Sequence, residues 1–254
     1  MLTNVRYILL TALRDWLFAA LIGGVIIAAL IAHMLGSTAL IETQEMTLSY
    51  TAAASRVVII TGLIVFACFH IRNAFDTKEI DVFLSRPITR SNLVFSYWLG
   101  FATVAFLLVV PSVGMLALQG LISKQGFFFW TLSLLIECWL VVAIALFAAF
   151  TLKSAVTSVM ASMGFYVLAR MMGFFIATTK SAFLFQQQWL NIALTGSIKL
   201  VSAIMPRLDF FAKSEWLIYG VKHPQEVNLF MVQAIIFIPL LILATIADFR
   251  RKQF

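Results

Sequence analysis

Charge is scarce in this sequence. Only 11% of its 254 residues are Asp, Glu, Lys or Arg, while 62% are hydrophobic. A soluble domain carries about 25% charged residues, so this chain cannot coat a globule in water, which excludes an ordinary cytosolic enzyme and a disordered tail. The net charge of +7 is scattered among long apolar runs and forms no basic groove, so a nucleic-acid binder is excluded as well. Cysteine is nearly missing. Cys68 and Cys138 each lie inside an apolar run, with no Cys or His at metal-ligand spacing, and read as reduced, buried side chains that leave the redox compartment open. No G-x-x-x-x-G-K-[ST] occurs anywhere, so the phosphate-cradling loop of a nucleotide hydrolase is not in this chain.

What is present is a series of apolar runs of bilayer length. A membrane-spanning helix needs about 20 mostly apolar residues, and such runs fall at about 16–35, 57–71, 93–118, 127–150, 156–176 and 228–247. Six spans leave little chain for a second domain, so residues 1–254 are expected to form one all-α polytopic membrane unit. The second run is short, and Arg56 at one end with His70 and Arg72 at the other can extend it by snorkelling. The first run also fits a signal peptide, but it lacks a small-x-small cleavage site and five more runs follow it.

Orientation follows from basic residues, which are retained on the cytoplasmic side. With the N-terminus inside, Arg6, Arg14, Arg72, Lys78, Arg86, Arg90, Lys153, Arg250, Arg251 and Lys252 are internal. Arg56, Lys124, Lys180, Lys199, Arg207, Lys213 and Lys222 are external, five of them in the long 177–226 stretch, where the rule is weak. Both termini are therefore expected in the cytoplasm. A seventh span at 189–205 would invert the C-terminal basic cluster. Its polar residues Asn191, Thr195, Ser197, Lys199 and Ser202, with Leu190, Leu194, Ile198, Val201 and Met205 at helical spacing, point to an amphipathic or re-entrant helix at the outer face.

Two inner segments are amphipathic. Val5, Ile8, Leu9, Ala12, Leu13 and Trp16 share one helical face, opposite Asn4, Arg6, Thr11 and Arg14, which predicts an interfacial helix over 1–15; a fraying extension of the first span is the alternative. Between the second and third spans, Ile80, Phe83, Leu84 and Pro87 lie on one face, with Asp76, Lys78, Glu79, Asp81, Ser85 and Arg86 around the rest. This predicts a short helix stopped by Pro87, with Ser91 capping the span that follows. Seven charges of both signs in 72–90 suit a protein partner, against the alternative of a solvated connector.

The run Lys78-Glu79-Ile80-Asp81-Val82-Phe83-Leu84-Ser85-Arg86-Pro87-Ile88-Thr89-Arg90 resembles the acidic, then leucine-serine-x-proline-x-x-arginine segment of ABC-2-type transporter permeases. Pro206-Arg207-Leu208-Asp209-Phe210-Phe211 is similar to the proline-x-leucine-x-x-phenylalanine element before that family's last span, and Phe249-Arg250-Arg251-Lys252 to its basic cytoplasmic end. The resemblance covers nearly the whole chain. It departs from the family at Asp81-Val82, where a glycine is common, and at Ser96-Tyr97, where a Gly-Lys is frequent. The resemblance implies a non-enzymatic permease subunit, an exporter of the bacterial inner membrane. Such a subunit pairs with a second permease copy, as a homodimer, and with two copies of a P-loop ATPase. ATP and magnesium would be bound by that ATPase, and no cofactor or metal by this chain. The residues Asp76, Lys78, Glu79, Ile80, Asp81, Phe83, Leu84, Ser85, Arg86, Pro87 and Arg90 would form the coupling segment.

Within the spans two ionisable residues stand out. Glu137 lies near the middle of the fourth and Arg170 in the outer half of the fifth. Such groups are costly at membrane depth, so they are expected to face protein or a water-filled cavity. An ion pair between them is the leading reading; separate contacts to a partner or substrate, and snorkelling of Arg170, remain open. His33 and His70 read as interface residues, and His223 has no ligand companion. An intramembrane enzyme would need a polar constellation that one Glu, one Arg and scattered hydroxyls do not supply. A membrane scaffold without a transport cycle is the third possibility.

Overall fold

Apolar side chains at nearly every position, few prolines and lengths beyond 20 residues make each span a helix, because only a helix satisfies its backbone within one segment in lipid. The computed structural model describes residues 2–14, 16–38, 42–80, 89–120, 123–181, 192, 195–198, 200–202, 205–222 and 224–251. Among them the elements are α1 (Leu2–Arg14), α2 (Trp16–Ser37), α3 (Thr43–Asp76), α4 (Arg90–Leu118), α5 (Lys124–Thr151), α6 (Ala155–Ser181), a 3-10 turn (Leu208–Phe210), α7 (Glu215–Tyr219) and α8 (Pro224–Arg251). No strand occurs among the described residues. Six of these helices, α2 to α6 and α8, are long and apolar enough to cross a membrane. The protein is an all-α polytopic membrane protein.

The largest departure from the sequence reading is α3. It runs 34 residues from Thr43 to Asp76, where the apolar run covers only 57–71. Its first third looks polar because Thr47, Thr51 and Ser55 recur every fourth residue, yet all three are buried. The Thr47 and Ser55 hydroxyls donate to the carbonyls one turn earlier, Thr43 O and Thr51 O, each at 2.7 Å. Such back-bonding lets a hydroxyl sit in an apolar contact. Small residues then admit α2: a Cβ on Gly36 would strike Thr47, and one on Gly62 would strike Leu21. Both contacts place α2 antiparallel to α3 in the same register.

At the bundle centre stands α5, packed against α3, α4, α6 and α8. Every residue from Leu140 to Leu146 is buried, so this helix is apolar all round, as an enclosed helix must be. At one end of the bundle the helices are tied by arginines on helix C-terminal carbonyls. Arg72 donates to Leu152 O at 3.3 Å, and Arg90 donates to Phe249 O at 2.9 Å and Arg250 O at 3.3 Å. Cations there complement the helix dipole. Beneath them Phe75, Phe150 and Phe249 meet edge to face, with ring centroids 5.1 to 6.5 Å apart.

The cap of α4 is Thr89 and not Ser91: the Thr89 side chain accepts from Asn92 N at 3.3 Å. Ser91 lies inside the helix and accepts from Arg250 Nη2 at 3.0 Å. The sequence offers two hydroxyls near one cap, and because the helix starts at Arg90, Thr89 is the one that stands at the cap position. The apolar face of α1 also finds a different partner from lipid. Ile8 and Ala12, 2% and 0% exposed, belong to the face that packs on α4, where a Cβ on Gly100 would collide with Ile8.

Candidate functional site

Between α6 and α8, residues 205–214 return to the bundle as mostly irregular backbone, broken by the 3-10 turn and followed by α7. Its depth is read from α5. Gly126, at the start of α5, has no room for a Cβ because Trp216 O lies against it. Ser133 Oγ accepts from Ala212 N at 2.9 Å, two turns further along α5. Arg170, beside Glu137 on the next turn, donates to Leu208 O. The segment thus dips along α5 from Gly126 to Glu137, eleven residues or about 16 Å. Pro206, Leu208, Phe211, Ala212, Trp216 and Leu217 are all buried there.

Non-helical backbone at membrane depth is tolerated only where protein satisfies its polar groups. Three helices do this. From α6, Arg170 Nη1 donates to Leu208 O and, at 2.8 Å, to Phe211 O. From α3, Arg56 Nη1 donates to Ala212 O at 2.8 Å. From α5, Ser133 takes the Ala212 N–H. Ala212 has φ +43, a left-handed backbone that turns its carbonyl and N–H toward different helices. Glu137, fully buried, balances the two cations: its Oε1 accepts from Arg170 Nη1 at 3.4 Å and from Tyr166 Oη at 3.1 Å. Glu137 Oε2 and Arg56 Nε are buried with no hydrogen-bond partner among the described residues.

Glu137 and Arg170 therefore meet, but as part of a larger set than a pair. Arg56 is the member that sequence reasoning misplaced. It was assigned to the outer flank of a short second span, and it lies instead within α3, facing Ala212. The signal that could have found it is the hydroxyl periodicity of Thr47, Thr51 and Ser55, which carries the helix past Arg56. Two basic residues of this segment are also paired. Arg207 Nη2 lies 2.7 Å from Asp209 Oδ2, and Lys213 Nζ lies 3.1 Å from Glu226 Oε1. The Glu226 carboxylate also accepts from Trp216 Nε1 at 3.0 Å. Gly173 on α6 makes room for the Asp209 carboxylate.

At the other end of α3 lies the beginning of the coupling segment expected from sequence. Asp76 is the last residue of α3 and sits 3.5 Å from Arg72, so it does not open a new helix. Thr77 and Lys78 form a turn, with Lys78 at φ +57, before Glu79 and Ile80 resume helix. Ile80 is buried, and Arg90 lies at the start of α4, bonded to α8. The remaining expected members, Asp81, Phe83, Leu84, Ser85, Arg86 and Pro87, lie outside the described residues. So does most of 189–205, of which Ile192, 195–198 and 200–202 are described and helical. His70 sits half-buried among Phe66, Tyr97 and Phe101, with ring centroids 5.5 to 6.4 Å from its own.

The chain matches no protein-family model and none of the curated proteins.

Proposed function

We propose that this chain is the membrane-spanning permease subunit of an ATP-binding-cassette exporter of the bacterial inner membrane, with both termini cytoplasmic. A separate P-loop ATPase, present in two copies, supplies the energy, and a second permease copy completes the pathway. The observation that carries this reading is the continuity of α3. One unbroken helix holds Arg56 at the re-entrant segment and Arg72 and Asp76 at the inner segment. The two ends are twenty residues apart, or about 30 Å. A transporter needs such an element: its inner end leads into the part an ATPase would grip, and its outer part holds the segment that closes the other side. Arg72 and Arg90 tie this inner segment to α5 and α8, so a displacement there is passed to several helices rather than lost in a loop.

A hydrophobic or amphipathic substrate suits this bundle, since Glu137, Arg56 and Arg170 each bond to protein and the described residues form no polar corridor. An apolar cavity of about 430 Å³, lined by Ile136, Trp139, Met231, Ile235 and Pro239 among others, opens between α5 and α8. Pro239 lies inside α8, where the missing N–H leaves room for a kink.

The test is the replacement of Phe83 and Leu84 together by serine. Neither residue lies in a span, so membrane insertion is expected to be unchanged, whereas co-purification of the ATPase, or its coupling to transport, is expected to be lost. Wild-type association and transport in that variant would overturn the proposal.

A further inference from the structure

The position of α1 along the bundle is set by two independent registers. Ile8 meets α4 at Gly100, ten residues or about 15 Å from Arg90. Leu21 on α2 meets Gly62 of α3, which sets Trp16 about 14 Å short of Asp76. Both place α1 at one level, with α3 and α4 running on past it by two to three turns. A helix lying across the bundle at that level, amphipathic and carrying arginines, is placed as an interfacial helix at a membrane boundary would be. Beyond it, from Thr47 to Ala67 on α3 and from Gly100 to Leu118 on α4, roughly 20 residues remain on each, the thickness of the hydrocarbon core.

The face of α1 turned away from α4 is neither a polar surface nor a lipid-tail surface. Tyr7, Leu10, Thr11 and Arg14, at i, i+3, i+4 and i+7, border one concave patch of about 510 Å³. Leu10 is 54% and Tyr7 42% exposed, and Arg6 and Arg14 are exposed beside them. The described residues of α1 include two cations and no acid; Asp15, the one acidic residue before Glu42, follows the helix. An apolar stem flanked by guanidinium groups at the boundary of a bilayer matches one chemistry: a phosphate at headgroup level with an acyl chain beneath it. We infer that α1 carries a binding site for an anionic phospholipid, with Arg14 and Arg6 on the headgroup and Leu10 and Tyr7 against the chain. The inference stands independently of the transport reading.

The test uses the full chain purified in detergent, titrated with palmitoyl-oleoyl phosphatidylglycerol or with phosphatidylcholine of the same chains, and read by native mass spectrometry and thermal melting. Each arginine near an anionic lipid surface is worth about a fivefold gain in affinity. Phosphatidylglycerol is therefore expected to bind about 25-fold more tightly than phosphatidylcholine. The preference should fall to about fivefold in Arg14→Gln and vanish in Arg6→Gln combined with Arg14→Gln, while Arg251→Gln keeps it. Because these side chains are exposed, melting in phosphatidylcholine should be unchanged, which separates lost binding from misfolding. Equal binding of the two lipids, full competition by inorganic phosphate, retention of the preference in the double variant, or its loss in Arg251→Gln would each overturn the inference.

Discussion

Arg170 Nη1 lies 2.8 Å from the carbonyl oxygen of Phe211 and 3.4 Å from Glu137 Oε1, so the cation reaches the backbone of the re-entrant segment more closely than it reaches its carboxylate. For a simple buried ion pair, removing one partner costs about 3 to 5 kcal/mol and removing both is milder. Arg170 also satisfies two carbonyls, and that changes the expectation. Arg170→Gln should be more damaging than Glu137→Gln, and the double substitution should be no better than Arg170→Gln alone. Thermal melting and folded yield of the purified variants would show it. Recovery toward wild type in the double variant would mean that the carbonyl bonds carry little.

Ser133 provides a second, uncharged test of the same segment. Its hydroxyl is the acceptor for the buried Ala212 N–H, and an orphaned buried donor costs about 1 to 3 kcal/mol. Ser133→Ala should lower stability by that amount. Thr103→Ala, whose hydroxyl bonds only within its own helix, should fall within about 0.5 kcal/mol of wild type. Equal effects in a denaturation series would separate Ser133 from the re-entrant segment.

Two glycines should respond in opposite directions to alanine. At Gly126 the new methyl would meet the backbone at Trp216, and backbone cannot rotate aside, so Gly126→Ala should displace the re-entrant segment and lower the melting temperature. At Gly164 nothing lies within 4 Å. Gly164→Ala is expected to be neutral or to stabilise by up to about 1 kcal/mol through helix propensity. A loss of folded protein in Gly164→Ala would reveal a partner packed on that face.

Orientation is tested by thiol labelling in intact cells. Tyr219 is exposed at the end that carries the re-entrant segment, and Lys153 is exposed in the turn between α5 and α6 at the other end. With the C-terminus cytoplasmic, Tyr219→Cys should react with an impermeant reagent and Lys153→Cys only after permeabilisation. The reverse pattern would invert the topology.

Much of the fold is legible without coordinates. In a bilayer the solvent is apolar, so composition alone marks a buried helix, and all six apolar runs lie within helices that extend beyond them. The limits of the runs were the weak point, because helices continue through Thr, Ser and charged residues whenever neighbouring helices or their own carbonyls satisfy the polar groups. That is how α3 gained 14 residues before position 57 and how Arg56 passed from a flank to the interior. For the site, the cost of an ionisable group at membrane depth singled out Glu137 and Arg170 as residues in need of protein partners, and in the fold the two lie 3.4 Å apart.

By itself the sequence determined the solvent, the helical class, the six long apolar runs and the two ionisable residues within the spans, because each follows from how much polar surface a local stretch can present. Only the tertiary structure decided what those charges hold. Leu208, Phe211 and Ala212 lie among Pro206, Arg207, Asp209 and Lys213 in a stretch that the sequence leaves outside the spans, with no sign that its backbone is held against α5. Their carbonyls need donors at that depth, and which helices stand close enough to donate is set by the packing of α3, α5 and α6, three segments far apart in the chain.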